Sequence, residues 1–159
     1  MSDPHDLRRF VDAQSRNYDQ ALSELRSGQK RSHWMWYVFP QYAGLGHSQK
    51  SIEFAIRSLA EAEAYLRHPI LGPRLVECAA ALLAVEGGRS AHDILGSPDD
   101  LKLSSSATLF SRVAPAGSIF HQLNDRFFAG VPDQRTVDLI ARSGSAASLR
   151  VSREAKQAP

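Results

Sequence analysis

A single, mainly helical domain is the fold predicted for this 159-residue chain, and three observations predict it. Apolar residues recur along most of the chain at spacings of three, four and seven, the period of a helix with one buried face. Helix start and stop signals, a serine or aspartate before and a glycine or proline after, punctuate those runs. Alternating strand patterns, internal repeats and coiled-coil heptads are missing. The expectation is an all-α or mainly α fold of about six to eight helices in one compact unit. An apolar content of 43% suits a single core. The domain is placed at residues 1–142, with a Ser/Ala/Arg-rich, disordered tail over Ser143–Pro159.

Leu7, Phe10, Val11, Tyr18, Leu22 and Leu25 form one apolar face. They predict an amphipathic helix of about five turns, capped by Asp3 or Asp6 and closed by Gly28. Met35 to Phe39 reads as a strand or as one or two buried turns of helix, and a short helix follows over Gln49 to Ile56. Ser58-Leu59-Ala60-Glu61 is a capping-box pattern, and the helix it opens ends at His68, before Pro69. The near-continuous Leu/Ala/Val run from Pro73 to Val85 predicts the central core helix, ended by Gly87-Gly88. Ser90 caps a short turn over Ala91 to Leu95. Ser97-Pro98-Asp99-Asp100 predicts a helix to about Val113, with a hydroxyl cap, proline at the first position and two acids at the positive end of the dipole. Ser118 to Ala129 and Asp133 to Arg142 complete the series.

Charge and composition narrow the function classes. Arg150, Arg153 and Lys156, against Glu154, account for the whole net charge of +2, so residues 1–142 are electrically balanced and a nucleic-acid face is not expected. No window approaches the ~18 apolar residues of a membrane span, and the acidic opening Met1 to Asp6 lacks a signal-peptide pattern. A cytoplasmic protein is expected. Cys78, the lone cysteine, sits in an apolar run and reads as a buried thiol. The six histidines show no ligand spacing, no G-x-S-x-G elbow occurs, and neither a metal nor a cofactor is expected. Oligomeric state is not legible.

Two clusters are candidates for chemistry. The first runs from Lys30 to Ser48 and holds both tryptophans. Trp34 and Trp36 lie on opposite sides of a strand or ~200° apart on a helix, so one of them belongs to the core. The other, with Lys30, His33 and Gln41, could wall a cleft. Gly44 and Gly46, followed by Ser48, resemble a turn offering backbone N–H groups to an anion at a helix start. The second cluster is Asp99, Lys102, Ser105 and Ser106, which combine helical spacing with small hydroxyls. Asp99, His33 and Lys102 are the candidate acid, base and electrostatic groups. The bland reading makes the first cluster core aromatics beside a turn and the second a solvated helix face.

Four blocks carry a family resemblance: Asp6-x3-Phe10-x3-Gln14-x3-Tyr18, Lys30 to Gln41 with Gly44-Leu45-Gly46-x-Ser48, Tyr65-Leu66-x-His68-Pro69-x-Leu71-Gly72-x-Arg74-Leu75, and Asp99-x2-Lys102-x2-Ser105-x2-Thr108-Leu109-Phe110. Together they resemble an uncharacterised bacterial family whose members are sometimes labelled calpastatin. That resemblance implies a mainly helical fold and no particular activity. His68-Pro69-x-Leu71 with the following helix, and the small polar residues before Phe110, are also similar to the NADAR superfamily. This second resemblance implies a nucleotide- or ADP-ribose-like ligand and hydrolysis of its N-glycosidic bond. The alternatives are a noncatalytic small-molecule sensor and an interaction module using an exposed aromatic patch.

Overall fold

The computed structural model describes residues 2–143. The expected tail lies outside them except for its first residue, Ser143. The helices are α1 (Arg8–Gln14), α2 (Tyr18–Ser27), α3 (Met35–Val38), α4 (Gln49–Glu53), α5 (Leu59–Arg67), α6 (Leu71–Leu83), α7 (Ala91–Leu95), α8 (Asp99–Ser111) and α9 (Ile119–Phe128), with α10 over residues 134–143. Among the described residues the only sheet-like pairing is an isolated parallel bridge between Tyr42 and Ile56. The fold is mainly α, as expected. The helix number exceeds the expected range partly because α3, α4 and α7 are turns of four, five and five residues.

The five-turn helix expected from Leu7 onward is broken into α1 and α2. Ser15 returns its hydroxyl to the Asp12 carbonyl, and Asn17 leaves helical geometry at φ −150°. Both residue types compete with the backbone for hydrogen bonds, and here the Asn17 amide donates instead to the Tyr37 hydroxyl. Local signals elsewhere act as read. Asp3 accepts from the N–H groups of Leu7 and Arg8, which holds its carboxyl below the usual range, and Gly28 closes α2 at φ +77°. Ser58 caps α5, and Ser90 with Asp93 forms a reciprocal capping box on α7. Ser97 does not cap α8: Pro98 occupies the cap position without a side-chain bond.

The core is built around α6, as expected, and equally around α8, each of which buries seven of its thirteen residues. α6 packs on α2, α5 and α9 but leaves Pro73, Val76, Glu77 and Ala80 exposed, whereas α8, against α5, α7 and α9, buries every residue from Ser105 to Phe110. Gly72 brings α6 close to α5, since a Cβ there would stand 2.1 Å from the Leu66 carbonyl oxygen. An aromatic chain ties the helices together. Phe54 meets Phe10 at 5.8 Å, Phe10 meets Tyr65 edge-on at 5.1 Å, Tyr65 meets Phe110 at 5.4 Å, and Phe110 meets Phe120 at 5.5 Å. Arg9 fastens one end of this chain: its five N–H groups reach the carbonyls of Glu53, His5, Asp6 and Ala55 and the buried Glu61 carboxylate at 2.8 Å. Among the described residues no helix is long and apolar enough to cross a membrane.

Candidate ligand-binding cleft

The Lys30–Trp34 segment is shaped by a carboxylate outside it. Glu24, buried on α2, accepts from the N–H groups of Arg31 (2.7 Å) and Ser32 (3.0 Å), the Ser32 hydroxyl (2.6 Å) and the Trp34 indole N–H (2.9 Å). Burial works to raise its pKa, but these four donors prevail and hold it at about 2. The turn so fixed donates the Lys30 N–H to the Ile94 carbonyl and directs the Lys30 ammonium to Asp99 Oδ2, 2.8 Å away. Lys102, one turn along α8, reaches Asp99 Oδ1 at 3.3 Å. Each lysine also lies over a tryptophan ring, Lys30 over Trp34 at 5.1 Å and Lys102 over Trp36 at 4.7 Å. Lys50 approaches Trp36 as well, at 5.9 Å.

Lys102 forms part of a cleft of about 320 Å³ lined by Gln41, Leu45, Gly46, Ser51, Pro98, Leu101, Lys102, Ser105, Asp133 and Arg135. Its walls are the 41–46 loop, α4, the first turns of α8 and the start of α10. Gly46 lets the loop pack onto α4, because a Cβ there would stand 2.5 Å from the Ser51 hydroxyl. Ser105 donates to the Leu101 carbonyl (3.1 Å) and to Asp133 Oδ2 (3.2 Å), which ties α8 to α10. Asp133 also caps α10, accepting from the Thr136 N–H and hydroxyl, while its own N–H goes to the Thr108 hydroxyl.

Of the expected site residues, Gln41, Gly46, Lys102 and Ser105 meet in this cleft, with Asp99 and Lys30 behind Lys102. Trp34 and Ser106 are enclosed in the core and present nothing to a ligand. Trp36 is half-buried beneath its two lysines, so it seats ammonium groups rather than a stacked base. His33 is exposed, lies outside the cleft lining and makes no ion pair with Asp99 among the described residues, so the Asp99, His33 and Lys102 trio is not assembled. Gly44 opens on a neighbouring hollow of about 200 Å³ with Arg135 and Arg142. Ser48 spends its hydroxyl on capping the Ser51 N–H, so the glycine turn does not present that donor to an anion.

Asp133 and Arg135 fall in the helix expected over Asp133 to Arg142, and Leu45, Ser51 and Leu101 are lining residues outside the expected site set. The aspartate-x-x-threonine cap was visible in the chain; its proximity to α8 was not. A larger cleft of about 510 Å³, lined by Arg9, Asp12, Arg16, Asn17 and Tyr37 among others, gathers none of the expected residues, and its Arg9 has no donor to spare. Among the described residues no three His, Cys, Asp or Glu side chains come together as a cation would require.

Residues 4–140 match the model of a family described as a protein of unknown function, DUF1810. The chain belongs to the DUF1810 family. Among solved structures it is similar to that of the conserved hypothetical protein Rv1873 from Mycobacterium tuberculosis, at 52% identity over 87% of this chain and 99% of that one, with a TM-score of 0.85. No curated protein matches. The family shown is therefore DUF1810, and neither NADAR nor calpastatin. The residues behind the NADAR resemblance have structural employment in this DUF1810 domain. His68 Nδ1 accepts from the N–H groups of Ile70 (3.1 Å) and Leu71 (3.3 Å) at the start of α6, and the serines before Phe110 pack α8 into the core.

Proposed function

We propose that the cleft binds a small anionic metabolite of nucleotide type. One observation carries the reading: Lys30 and Lys102, with side chains 8% and 19% exposed, share the single carboxylate of Asp99. Lys30, Lys102 and Arg135 stand against the carboxylates of Asp99 and Asp133, so one positive charge is left over at a partly desolvated site, where an unpaired ion is costly, and Lys102 and Arg135 bring it to the cleft. Arg135 lines the same cleft, and an Arg–Lys combination suits phosphate. A volume of about 320 Å³ stands at the small end of the ~300–1,000 Å³ usual for ligand sites, which favours a mononucleotide-sized compound over NAD or ADP-ribose.

N-glycosidic hydrolysis would add a demand on the same site, a carboxylate at the reacting bond. Both Asp99 oxygens are held by lysines, while Oδ1 of Asp133 accepts no hydrogen bond among the described residues. Binding without turnover, as in a sensor, asks for nothing more than the charges already present. For the interaction-module alternative, neither tryptophan supplies the exposed aromatic patch, since Trp34 is buried and Trp36 lies beneath Lys102.

The test is a thermal-shift series with inorganic phosphate, AMP, ADP, ADP-ribose and NAD, with chromatography of the mixtures for released base or nicotinamide. A ligand at a hundred times its Kd should stabilise by about 2.7 kcal/mol, raising Tm by roughly 8–10 °C. Lys102→Met, which keeps the packed stem, and Arg135→Ala should both lose the shift. No shift with any compound overturns the reading.

A further inference from the structure

We propose that the natural ligand of this cleft is an organic monophosphate whose apolar body rests on a wall of Leu45, Pro98 and Leu101 while its phosphate meets Lys102 and Arg135. The inference rests on the anion-binding reading above and adds the other half of the ligand. Single exposed apolar residues are ordinary on a protein surface, but clustered ones call for an occupant. Of the large apolar residues exposed on the described surface, the three most exposed are Val131 (63%), Leu101 (62%) and Ile52 (60%). Of these, Leu101 lines the cleft, where it clusters with Leu45 and Pro98; Ile52 and Val131 stand one and two residues from the lining residues Ser51 and Asp133 and are not part of its wall.

Leu101 is the sharpest case. It lies on α8, at a first-turn position where a polar side chain would meet solvent without penalty. Leu45, half-buried against the core, and Pro98 join it to form an aliphatic wall beside two cationic side chains. Trp36 cannot serve as the ring seat, because Lys102 and Lys50 already stand over it. The surface on offer to a ring or branched chain is therefore aliphatic, and the volume of about 320 Å³ accommodates one such group with its phosphate.

Calorimetric titration of the full chain with phenyl phosphate, inorganic phosphate and benzyl alcohol tests this. Phenyl phosphate should bind about tenfold more tightly than inorganic phosphate, a factor equal to about 1.4 kcal/mol, which ~55 Å² of apolar contact supplies. Leu101→Gln, at an exposed position and checked by its unchanged Tm, should erase that advantage and leave inorganic phosphate unaffected. Arg135→Ala should weaken both phosphates. Equal affinity for the two phosphates, with no effect of Leu101→Gln, overturns the apolar wall while the anion-binding reading stands. Benzyl alcohol binding as tightly as phenyl phosphate overturns the proposal by removing the anion from it, and binding of neither phosphate overturns both readings.

Discussion

Replacing Glu24 by glutamine asks how much one buried carboxylate contributes to this fold. Glutamine is nearly isosteric. With its oxygen in the Oε1 position it keeps the bonds from the Arg31, Ser32 and Trp34 N–H groups, and the Ser32 hydroxyl can turn to accept from its amide. What disappears is the charge those donors hold. The carboxyl falls from an ordinary 4.5 to about 2 in the folded protein, a difference on the order of 3 kcal/mol. A depressed pKa stabilises where the group is ionised in both states, so the contribution is fully present above pH 4.5 and is lost as pH falls from there through about 2. Urea denaturation followed by circular dichroism should therefore find Glu24→Gln less stable by about 3 kcal/mol at pH 7 and by roughly 1 kcal/mol at pH 3. Glu24→Ala, which strands the Trp34 indole N–H in the core and two part-buried backbone N–H groups, should cost more than Glu24→Gln by the same margin at both pH values, since neither replacement titrates. A gap between wild type and Glu24→Gln that is the same at both pH values, or below about 0.5 kcal/mol at pH 7, would refute the assignment of this stability to an ionised Glu24.

Three further outcomes follow from the same kind of accounting. Arg9→Lys keeps a positive charge beside Glu61 but has three donors for five acceptors, so chemical denaturation should show a loss of about 2–3 kcal/mol; a loss under 1 kcal/mol would mean the carbonyls find other partners. Gly72→Ala sets a methyl group 2.1 Å from the Leu66 carbonyl oxygen, and forcing α5 and α6 apart should cost about 2 kcal/mol or more; an unchanged Tm would show that the helices part freely. Burial pushes the Cys78 thiol up to about 12, so a thiol-reactive dye at pH 8 should label it only as the protein unfolds, and immediate labelling of the native protein would contradict its enclosure.

Much of the helical layout was legible because its signals are local. Gly28, Ser58 and Ser90 act within four residues of the helix ends they define, and Pro69 bars continuation of α5 through its own ring. The candidate site was legible in part. Gln41, Gly46, Lys102 and Ser105 are expected site residues that line one cleft, but Arg135, Leu101 and Asp133 carry no pattern that marks them as their neighbours. Trp34 and Ser106 show the converse: residue types suited to a site that packing has enclosed.

The boundary between the two kinds of knowledge follows the range of the interactions. Composition, apolar period and caps were sufficient for a mainly helical domain with most helices near their places, since those features act over one or two turns. Tertiary structure alone decided that the first long helix breaks at Ser15–Asn17, where Asn17 bonds to Tyr37, twenty residues away. It decided that α8, despite its run of serines, buries every residue from Ser105 to Phe110. It also decided that Lys30, from the turn after α2, shares Asp99 with Lys102 on α8. Such contacts depend on which surfaces meet once the helices pack, and a linear pattern holds no record of that meeting.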